Sequence, residues 1–282
     1  MNTNKMVKSY LKFSKKIFRY ACTMIRIPFS SFCLMPGFLV IGAQKAGTSS
    51  LFNYLKQHPY ISPPIMNKEL HYFDLHYKRG DRWYRAQFPF NHTNKVSGEK
   101  SPYYLFHPLS PERAYEFNKN FRILVLLRDP VKRAYSHYNH EIENGREYRP
   151  FRVAVEQEIN NVKKDHKKIM NSDINYSFTH QRYSYFMRGL YEEQLNLWLS
   201  YFPKESIYIQ RSEKFFEEPQ TVCSEIFQFL DLPDYKPNTK TRYNPGKYNP
   251  MKESDKFWLA NLYKNPNIRL AKKYGVDISD WE

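Results

Sequence analysis

Two short, almost wholly apolar segments constrain the fold of this chain more than any other feature. They are residues 38–41 and 121–127, and each is followed by a turn and then by residues with helical periodicity. Segments of this kind are typical of strands that are buried on both faces. A further strand and further helices are expected at residues 206–210, 152–170, 191–201 and 221–230. This alternation predicts an α/β domain with a central, mostly parallel sheet flanked by helices.

The chain divides by composition into residues 1–36, a basic segment, and residues 37–282, which carry the pattern of a single folded domain. Within the first 28 residues, basic and apolar residues both recur every three or four positions, and no acidic residue occurs. This pattern predicts a basic amphipathic helix, which is typical of peripheral membrane anchors and also of helices that pack on a domain. No apolar run approaches the roughly 20 residues that a membrane-spanning helix needs.

The net charge predicts an anionic ligand without selecting one. The chain has 44 Lys and Arg against 28 Asp and Glu, which gives a formal charge of +16. Such an excess attracts nucleic acid, anionic lipid, acidic polysaccharide or a phosphorylated cofactor. The three cysteines are widely spaced and form no metal-binding motif. We therefore expect no metal site and a reducing, cytoplasmic compartment. Peripheral membrane contact through residues 1–28 and packing of this segment on the domain both stay open.

The turn after the first strand resembles a phosphate-binding loop. Residues 41–50 read IGAQKAGTSS, in which Gly42 and Gly47 have the spacing of the two P-loop glycines. The lysine, however, is Lys45, and Thr48 stands at the P-loop lysine position. A helix that starts here would direct its free amides at an anion. The sequence therefore predicts a P-loop-like nucleotide-binding core whose phosphate is held differently from that of a nucleoside triphosphate.

The second strand ends in Arg128, which is followed by Asp129. A triphosphate site would need an acidic residue at this strand end to hold Mg²⁺. An arginine suits a second phosphate better, and Ser136, about two helical turns further on, can meet the same anion. This strand end argues against an ATPase or a kinase.

With these motifs the chain resembles the sulfotransferases that use 3′-phosphoadenosine 5′-phosphosulfate (PAPS), above all the carbohydrate branch that includes the heparan sulfate glucosaminyl sulfotransferases. The resemblance covers nearly all of residues 37–282, which are expected to form a sulfotransferase domain. It implies that Arg128 and Ser136 hold the 3′-phosphate and that Lys45 contacts the oxygen linking phosphate and sulfate. The residues implied to cradle the 5′-phosphosulfate are Gln44, Lys45, Ala46, Gly47, Thr48 and Ser49.

The resemblance also implies the residues of the acceptor chemistry. Residues 68–74 read KELHYFD, and in the carbohydrate branch the glutamate of this motif, here Glu69, removes the proton of the acceptor hydroxyl. The residues implied to shape the acceptor site are Lys68, His71 and Asp74. The histidine is also the second candidate for the base, because a histidine has this role in other branches. Residues 98–102 read GEKSP, and Lys100 is expected to stabilise charge on the transferring sulfonate.

The last motif departs from the family pattern. Family members carry a Lys-Gly-Arg-x-His-Pro-like loop near the C-terminus that closes over the 3′-phosphate. In this chain Gly246 matches, the first lysine is absent, and Lys247 stands in place of the arginine. Lys247 can supply charge but not a bidentate fork. We also expect the segments 139–185 and 231–253 to line the acceptor cleft.

The sequence thus predicts an enzyme that transfers a sulfonate group from PAPS to a hydroxyl of a carbohydrate or glycoconjugate. The product nucleotide would be adenosine 3′,5′-bisphosphate, and no metal would be required. We expect a saccharide partner and not a nucleic acid, because no nucleic-acid-binding motif is present. Two alternatives stay open from the residues: a non-catalytic, basic polyanion-binding protein, and a nucleotide kinase with an atypical phosphate loop.

Overall fold

The expected parallel sheet is the centre of the computed structural model, which describes residues 3–66, 69–91, 95–241, 243, 246 and 248–281, without the side chains of residues 3–9, 11–13, 15 and 16. The strands described are β1 Pro36–Gly42, β2 Ile61–Ser62, β3 Val96–Lys100, β4 Arg122–Leu127 and β5 Ile207–Arg211. Their order in the sheet is β2-β3-β1-β4-β5, and all neighbours run parallel. The predicted α/β class with a mostly parallel sheet is confirmed.

Helices connect these strands. They are α1 Thr3–Arg26, α2 Thr48–Leu55, α3 Asp81–Arg85, α4 Ser110–Phe117, α5 Pro130–Glu143, α6 Phe151–Met170, α7 Phe178–Arg182, α8 Tyr191–Leu199, α9 Ser212–Glu217, α10 Pro219–Phe229 and α11 Glu253–Tyr274. The expected helices α6, α8 and α10 are present, with ends that differ from the sequence prediction by one or two residues. Helix α11 is not among the expected helices, because Pro266 interrupts it and its apolar residues do not form a clear face.

The central strand β1 determines where the neighbouring strands end. Val40 pairs with Lys100 of β3 on one side and with Leu124 of β4 on the other. The apolar side chains of β1 and β4 are buried, as their sequences predict. Because parallel strands end at the same edge of a sheet, the segments after β1, β3 and β4 meet there.

Helix α5 starts immediately after Arg128 and has a side-chain cap. The Oδ1 atom of Asp129 accepts hydrogen bonds from the amides of Val131 at 2.8 Å and Lys132 at 3.4 Å, and Pro130 occupies the first helical position. Asp129 is fully buried. Its carboxylate therefore stabilises the start of α5, and Arg128 is held between a strand end and a capped helix.

The N-terminal segment forms helix α1, in agreement with its periodicity. Arg26, at the end of α1, donates hydrogen bonds to the carbonyls of Ala86 at 2.9 Å and Phe88 at 2.5 Å. Several large apolar side chains of α1 are exposed, namely Tyr10, Ile17, Phe18, Tyr20, Met24 and Ile25. Among the described helices, none combines the length and the apolar character needed to cross a membrane. The domain boundary between residues 36 and 37 stays a prediction.

Candidate active site

The loop between β1 and α2 has a backbone that requires glycine at one position. Gly47, which precedes α2, has a φ of 94° and Lys45 has a φ of 73°, both in the left-handed region. A Cβ on Gly47 would lie 2.8 Å from the ring of Phe216, so both its backbone angle and the available space select glycine. The loop therefore turns tightly, and the free amides at the start of α2 face the space beyond it.

Arg128 connects this loop to the end of β4. Its Nη1 donates a hydrogen bond to the carbonyl of Lys45 at 3.0 Å, and its own carbonyl accepts one from the hydroxyl of Tyr191 at 2.8 Å. Ser136 lies on α5 and borders the same cleft as Lys45 and Arg128. The two segments that the sequence analysis assigned to separate phosphates therefore lie at one cleft.

This cleft has a volume of about 450 Å³, within the range of about 300–1,000 Å³ that is typical of ligand sites. The lining residues that the sequence analysis assigned are Gln44, Lys45, Gly47, Thr48, Ser49, Glu69, His71, Arg128, Ser136 and Gly246. The lining residues that it did not assign are Pro102, Tyr103, His140, Gln181, Arg182, Arg188, Phe216, Tyr243 and Tyr248. Both expected segments, 139–185 and 231–253, contribute to this second set.

The remaining predicted site residues have different positions. Ala46 and Asp74 are buried and do not line the cleft, and Lys100 is nearly buried. Lys68 and Lys247 lie outside the described residues, so their roles stay predictions. Among the residues that are described, no group of three or more His, Cys, Asp or Glu is placed to hold a metal ion.

Charged side chains form a connected cluster at one end of the cleft. Glu69 lies 2.6 Å from Nζ of Lys100 and 3.3 Å from Nε2 of His71. The other ring nitrogen of His71, Nδ1, lies 2.8 Å from Oδ2 of Asp74. Lys100 also donates a hydrogen bond to Oγ of Ser49 at 3.1 Å. Lys100 therefore joins this cluster to the start of α2, directly after the loop that follows β1.

These contacts determine the charges of Glu69 and His71. Burial acts to raise the pKa of Glu69, but the hydrogen bond from His71 and the charge of Lys100 outweigh it and lower the pKa to about 2. Burial acts to lower the pKa of His71, but Asp74 and Glu69 raise it to about 10. Near neutral pH the pair is therefore a carboxylate and an imidazolium. An imidazolium cannot accept a proton, which favours Glu69 over His71 as a base.

Four cationic side chains line the cleft without a carboxylate within 4.0 Å in the described part of the chain: Lys45, Arg128, Arg182 and Arg188. Burial lowers the pKa of Lys45, and it lowers the pKa of Arg188 to about 10. Arg188 is only 3% exposed and donates a hydrogen bond to the side-chain oxygen of Gln44. Lys45, Arg128 and Arg182 are half-buried. Cations that are partly removed from water and lack a nearby carboxylate favour an anionic ligand, so this arrangement suits a ligand with several negative charges.

Another wall of the cleft comes from residues 231–252, whose described part has no regular secondary structure. This wall is bonded to α2. The hydroxyl of Tyr54 donates to the carbonyl of Thr239 at 3.0 Å, and Oγ of Ser50 accepts from the amide of Tyr243 at 3.0 Å. Helix α2, which begins at the end of the loop after β1, is therefore also bonded to this wall.

Comparison with known proteins identifies the family. The family model described as "Sulfotransferase domain" matches residues 36–269. The chain belongs to the sulfotransferase family. The predicted family, the enzyme class and the P-loop-like α/β fold are confirmed.

This sulfotransferase is 27% identical to the membrane-associated sulfotransferase kil1 of Dictyostelium discoideum, over 92% of the chain and 69% of that relative. It is 29% identical to human heparan sulfate glucosamine 3-O-sulfotransferase 5 over 71% of the chain, and it spans 54% of that relative's length. The crystal structure of a sulfotransferase from Alicyclobacillus acidocaldarius is 28% identical, with a TM-score of 0.74, and covers 88% of this chain and 99% of its own.

The charge of His71 can be tested directly. In the wild-type protein, ¹⁵N NMR of the imidazole ring should show His71 protonated at neutral pH and titrating at about pH 10. Replacing Asp74 by Asn removes the negative charge beside Nδ1, so the pKa of His71 should fall towards its ordinary value. Asp81→Asn is the control, because Asp81 contacts the Tyr72 hydroxyl in the same region. Ordinary titration of His71 in the wild type would contradict the described arrangement.

Proposed function

We propose that this sulfotransferase transfers the sulfonate group of PAPS to a hydroxyl of a carbohydrate or glycoconjugate. The observation that carries the proposal is the position of Lys45 and Arg128, which have no carboxylate within 4.0 Å among the described residues, in a cleft that Glu69 also lines. Lys100 is buried next to this cleft and lies 2.6 Å from Glu69. The cations would attract the anionic sulfonate donor, and Glu69 would face the acceptor hydroxyl that must lose its proton, in one cavity.

The cleft fits a nucleotide that carries phosphates at two separate positions. At one position, Lys45, the hydroxyls of Thr48 and Ser49 and the first amides of α2 would hold the 5′-phosphosulfate. At the other, the fork of Arg128 and the hydroxyl of Ser136 would hold the 3′-phosphate. No Cβ at Gly47 intrudes between the loop and Phe216. Gly246 lines the same cleft, which supports its assignment to the cofactor site.

PAPS supplies a sulfonate on a good leaving group, so that the sulfur–oxygen bond to adenosine 3′,5′-bisphosphate breaks as the bond to the acceptor oxygen forms. Glu69 takes the proton of the acceptor hydroxyl on a carboxylate oxygen. Lys100 contacts both Glu69 and Ser49, so its charge lies between the base and the phosphate loop and can stabilise negative charge there. His71 remains protonated and orients Glu69 by donating a hydrogen bond to it.

The carbohydrate acceptor is supported by the relatives and by the cleft. The human relative is named for transfer to heparan sulfate glucosamine. In this chain the cleft offers the amide of Gln181, which can bond to sugar hydroxyls, and the charges of Arg182 and Arg188. The kinase alternative loses support, because the carboxylate of Asp129 caps α5.

Replacing Arg128 by Ala should weaken the binding of adenosine 3′,5′-bisphosphate by about 10- to 100-fold, because a hydrogen bond to a charged group contributes about 1.5–3 kcal/mol. Isothermal titration calorimetry measures this change. Arg269→Ala is the matched control, since Arg269 lies on α11, pairs with Glu192 and does not line the cleft; it should not alter the Kd. ATP with Mg²⁺ should bind more weakly than the bisphosphate. Preference for ATP, or unchanged affinity in Arg128→Ala, would reject the cofactor site.

Replacing Glu69 by Gln should lower kcat by about 10²–10⁴-fold, measured with PAPS and heparan sulfate, because the variant keeps the side chain's shape but cannot take the proton. Bisphosphate affinity should be unchanged. Glu116→Gln is the control, because Glu116 is an exposed carboxylate that contacts Tyr77 and should not affect the rate.

The pH profile separates the two candidate bases. With Glu69 as the base, wild-type kcat/KM should stay level between about pH 7.5 and 9, because this carboxylate is already ionised. If neutral His71 were the base, the rate would instead rise about tenfold per pH unit in this interval, since the pKa of His71 is raised to about 10. Such a rise, or a fully active Glu69→Gln variant, would exclude Glu69.

We also propose that the protein is cytoplasmic and contacts an anionic membrane through residues 1–28. The segment has no acidic residue, and helix α1 exposes Ile17, Phe18 and Ile25. The relative kil1 is named as membrane-associated. The cysteines Cys22, Cys33 and Cys223 are unpaired, which supports a reducing compartment.

The full-length protein should therefore sediment with vesicles that contain phosphatidylserine and not with neutral phosphatidylcholine vesicles. Replacing Lys8 and Lys12 by Gln should weaken this binding, because each basic residue near an anionic surface contributes about 1 kcal/mol. Lys163 and Lys164, exposed on α6, provide the control pair. Equal binding to neutral vesicles, or an equal loss in the control pair, would contradict the membrane contact.

A further inference from the structure

A buried carboxylate next to Lys100 has no part in the proposed chemistry. Glu99 is the penultimate residue of β3 and is fully buried. Because side chains alternate along a strand, it points to the opposite side from Lys100, and it does not line the cleft. In the part of the chain that the structure describes, no cationic side chain forms an ion pair with Glu99. A buried charge without a cation must be stabilised by hydrogen bonds.

Glu99 has such hydrogen bonds on both carboxylate oxygens. Oε1 accepts from the hydroxyls of Tyr104 at 2.6 Å and Tyr84 at 3.4 Å. Oε2 accepts from the hydroxyl of Ser101 at 2.8 Å and from the amide of Leu70 at 3.4 Å.

Two of these hydroxyls extend the network to the segment that carries the base. The hydroxyl of Ser101 accepts a hydrogen bond from the amide of His71 at 3.1 Å, and the hydroxyl of Tyr104 accepts one from the amide of Tyr72 at 2.7 Å. The amide of Phe73 also donates to the Tyr104 hydroxyl, at 3.3 Å. Together with Leu70, four consecutive amides thus depend on Glu99, directly or through one hydroxyl. His71 has a φ of 51°, a left-handed conformation that a non-glycine residue keeps only with support from its surroundings.

The charge of Glu99 determines the direction of these hydrogen bonds. An ionised carboxylate only accepts, so Ser101 and Tyr104 must donate to it and retain lone pairs for the amides of His71 and Tyr72. If residue 99 carried a neutral amide or a protonated carboxyl group, it could donate a hydrogen bond itself. Ser101 and Tyr104 would then no longer have to act as donors to it.

We propose that Glu99 is a positioning residue for sulfonate transfer, which acts through Ser101 and Tyr104 to hold residues 69–72 in the conformation that directs Glu69 at the acceptor. This inference rests on the proposed role of Glu69 as the base. Glu99 affects the rate through the backbone of this segment, since a small displacement of a catalytic group costs much of its effect.

The ionisation of Glu99 gives the proposal a pH signature. Burial raises the pKa of Glu99 to about 7; its hydroxyl hydrogen bonds and the charge of His71 act to lower it, and the charge of Asp74 acts to raise it. The facing phenols of Tyr84 and Tyr104 stay neutral, because burial raises their pKa well above the ordinary value. As the pH falls through this value the carboxyl takes up a proton and becomes a donor, so kcat should decrease.

Replacing Glu99 by Gln should lower kcat by about 10²-fold and abolish the decrease of kcat below about pH 7 that we expect for the wild type. The Kd for adenosine 3′,5′-bisphosphate should not change. Ser101→Ala retains Glu99 but cuts the link to His71, and it should lower kcat without altering this Kd. Ser97→Ala is the matched control: Ser97 is a buried serine of β3 whose hydroxyl donates to the carbonyl of Ser62 at 2.6 Å, and kcat should be unchanged.

A Glu99→Gln variant with the wild-type kcat and pH profile would overturn the proposal. Parallel losses of kcat and bisphosphate affinity would also overturn it, because they would indicate a general structural role. If Glu99→Gln does not fold, the same two measurements on Ser101→Ala decide the question. Wild-type protein that neither binds the bisphosphate nor transfers sulfonate would reject the proposed function instead, and not the inference about Glu99 alone.

Discussion

The parallel pairing of β1 with β3 on one side and β4 on the other is the constraint on which the rest of the site depends. It brings three chain segments with different chemistry to one edge of the sheet: the glycine loop after β1, Lys100 at the end of β3, and Arg128 after β4. A shift of β3 by one residue would exchange the positions of Lys100 and Glu99. Lys100 would then lose its contacts with Ser49 and Glu69.

The features that follow from local sequence could be predicted. The apolar segments predicted β1 and β4, and the glycine spacing predicted a tight loop whose left-handed Gly47 the structure shows. Arg188 was not assigned to the site, because the segment 188–194 is interpreted from its sequence as contributing mainly to packing. Its burial depends on contacts with residues far away in the chain, including Gln44 and the ring of Tyr103.

The charge states of the candidate site also required the three-dimensional structure. Motif spacing placed Glu69 and His71 near each other but could not rank them as bases. The ranking depends on Asp74 and Glu69, which keep His71 protonated. Lys100 helps to keep Glu69 ionised, and it lies 31 residues from Glu69 in the chain and contacts it because of the position at which β3 ends. Ion pairs and burial of this kind are tertiary properties, and a pattern of residue types does not contain them.

The bonds between α2 and residues 231–252 have a consequence for how tightly the cleft can hold a ligand. A segment without regular structure normally loses conformational entropy when it closes on a ligand, and that loss reduces affinity. Here Tyr54 and Ser50 already restrain the segment in the folded protein. Helix α2 and the described part of this segment are thus already joined before a ligand binds, so that a larger share of the free energy of the contacts can contribute to affinity.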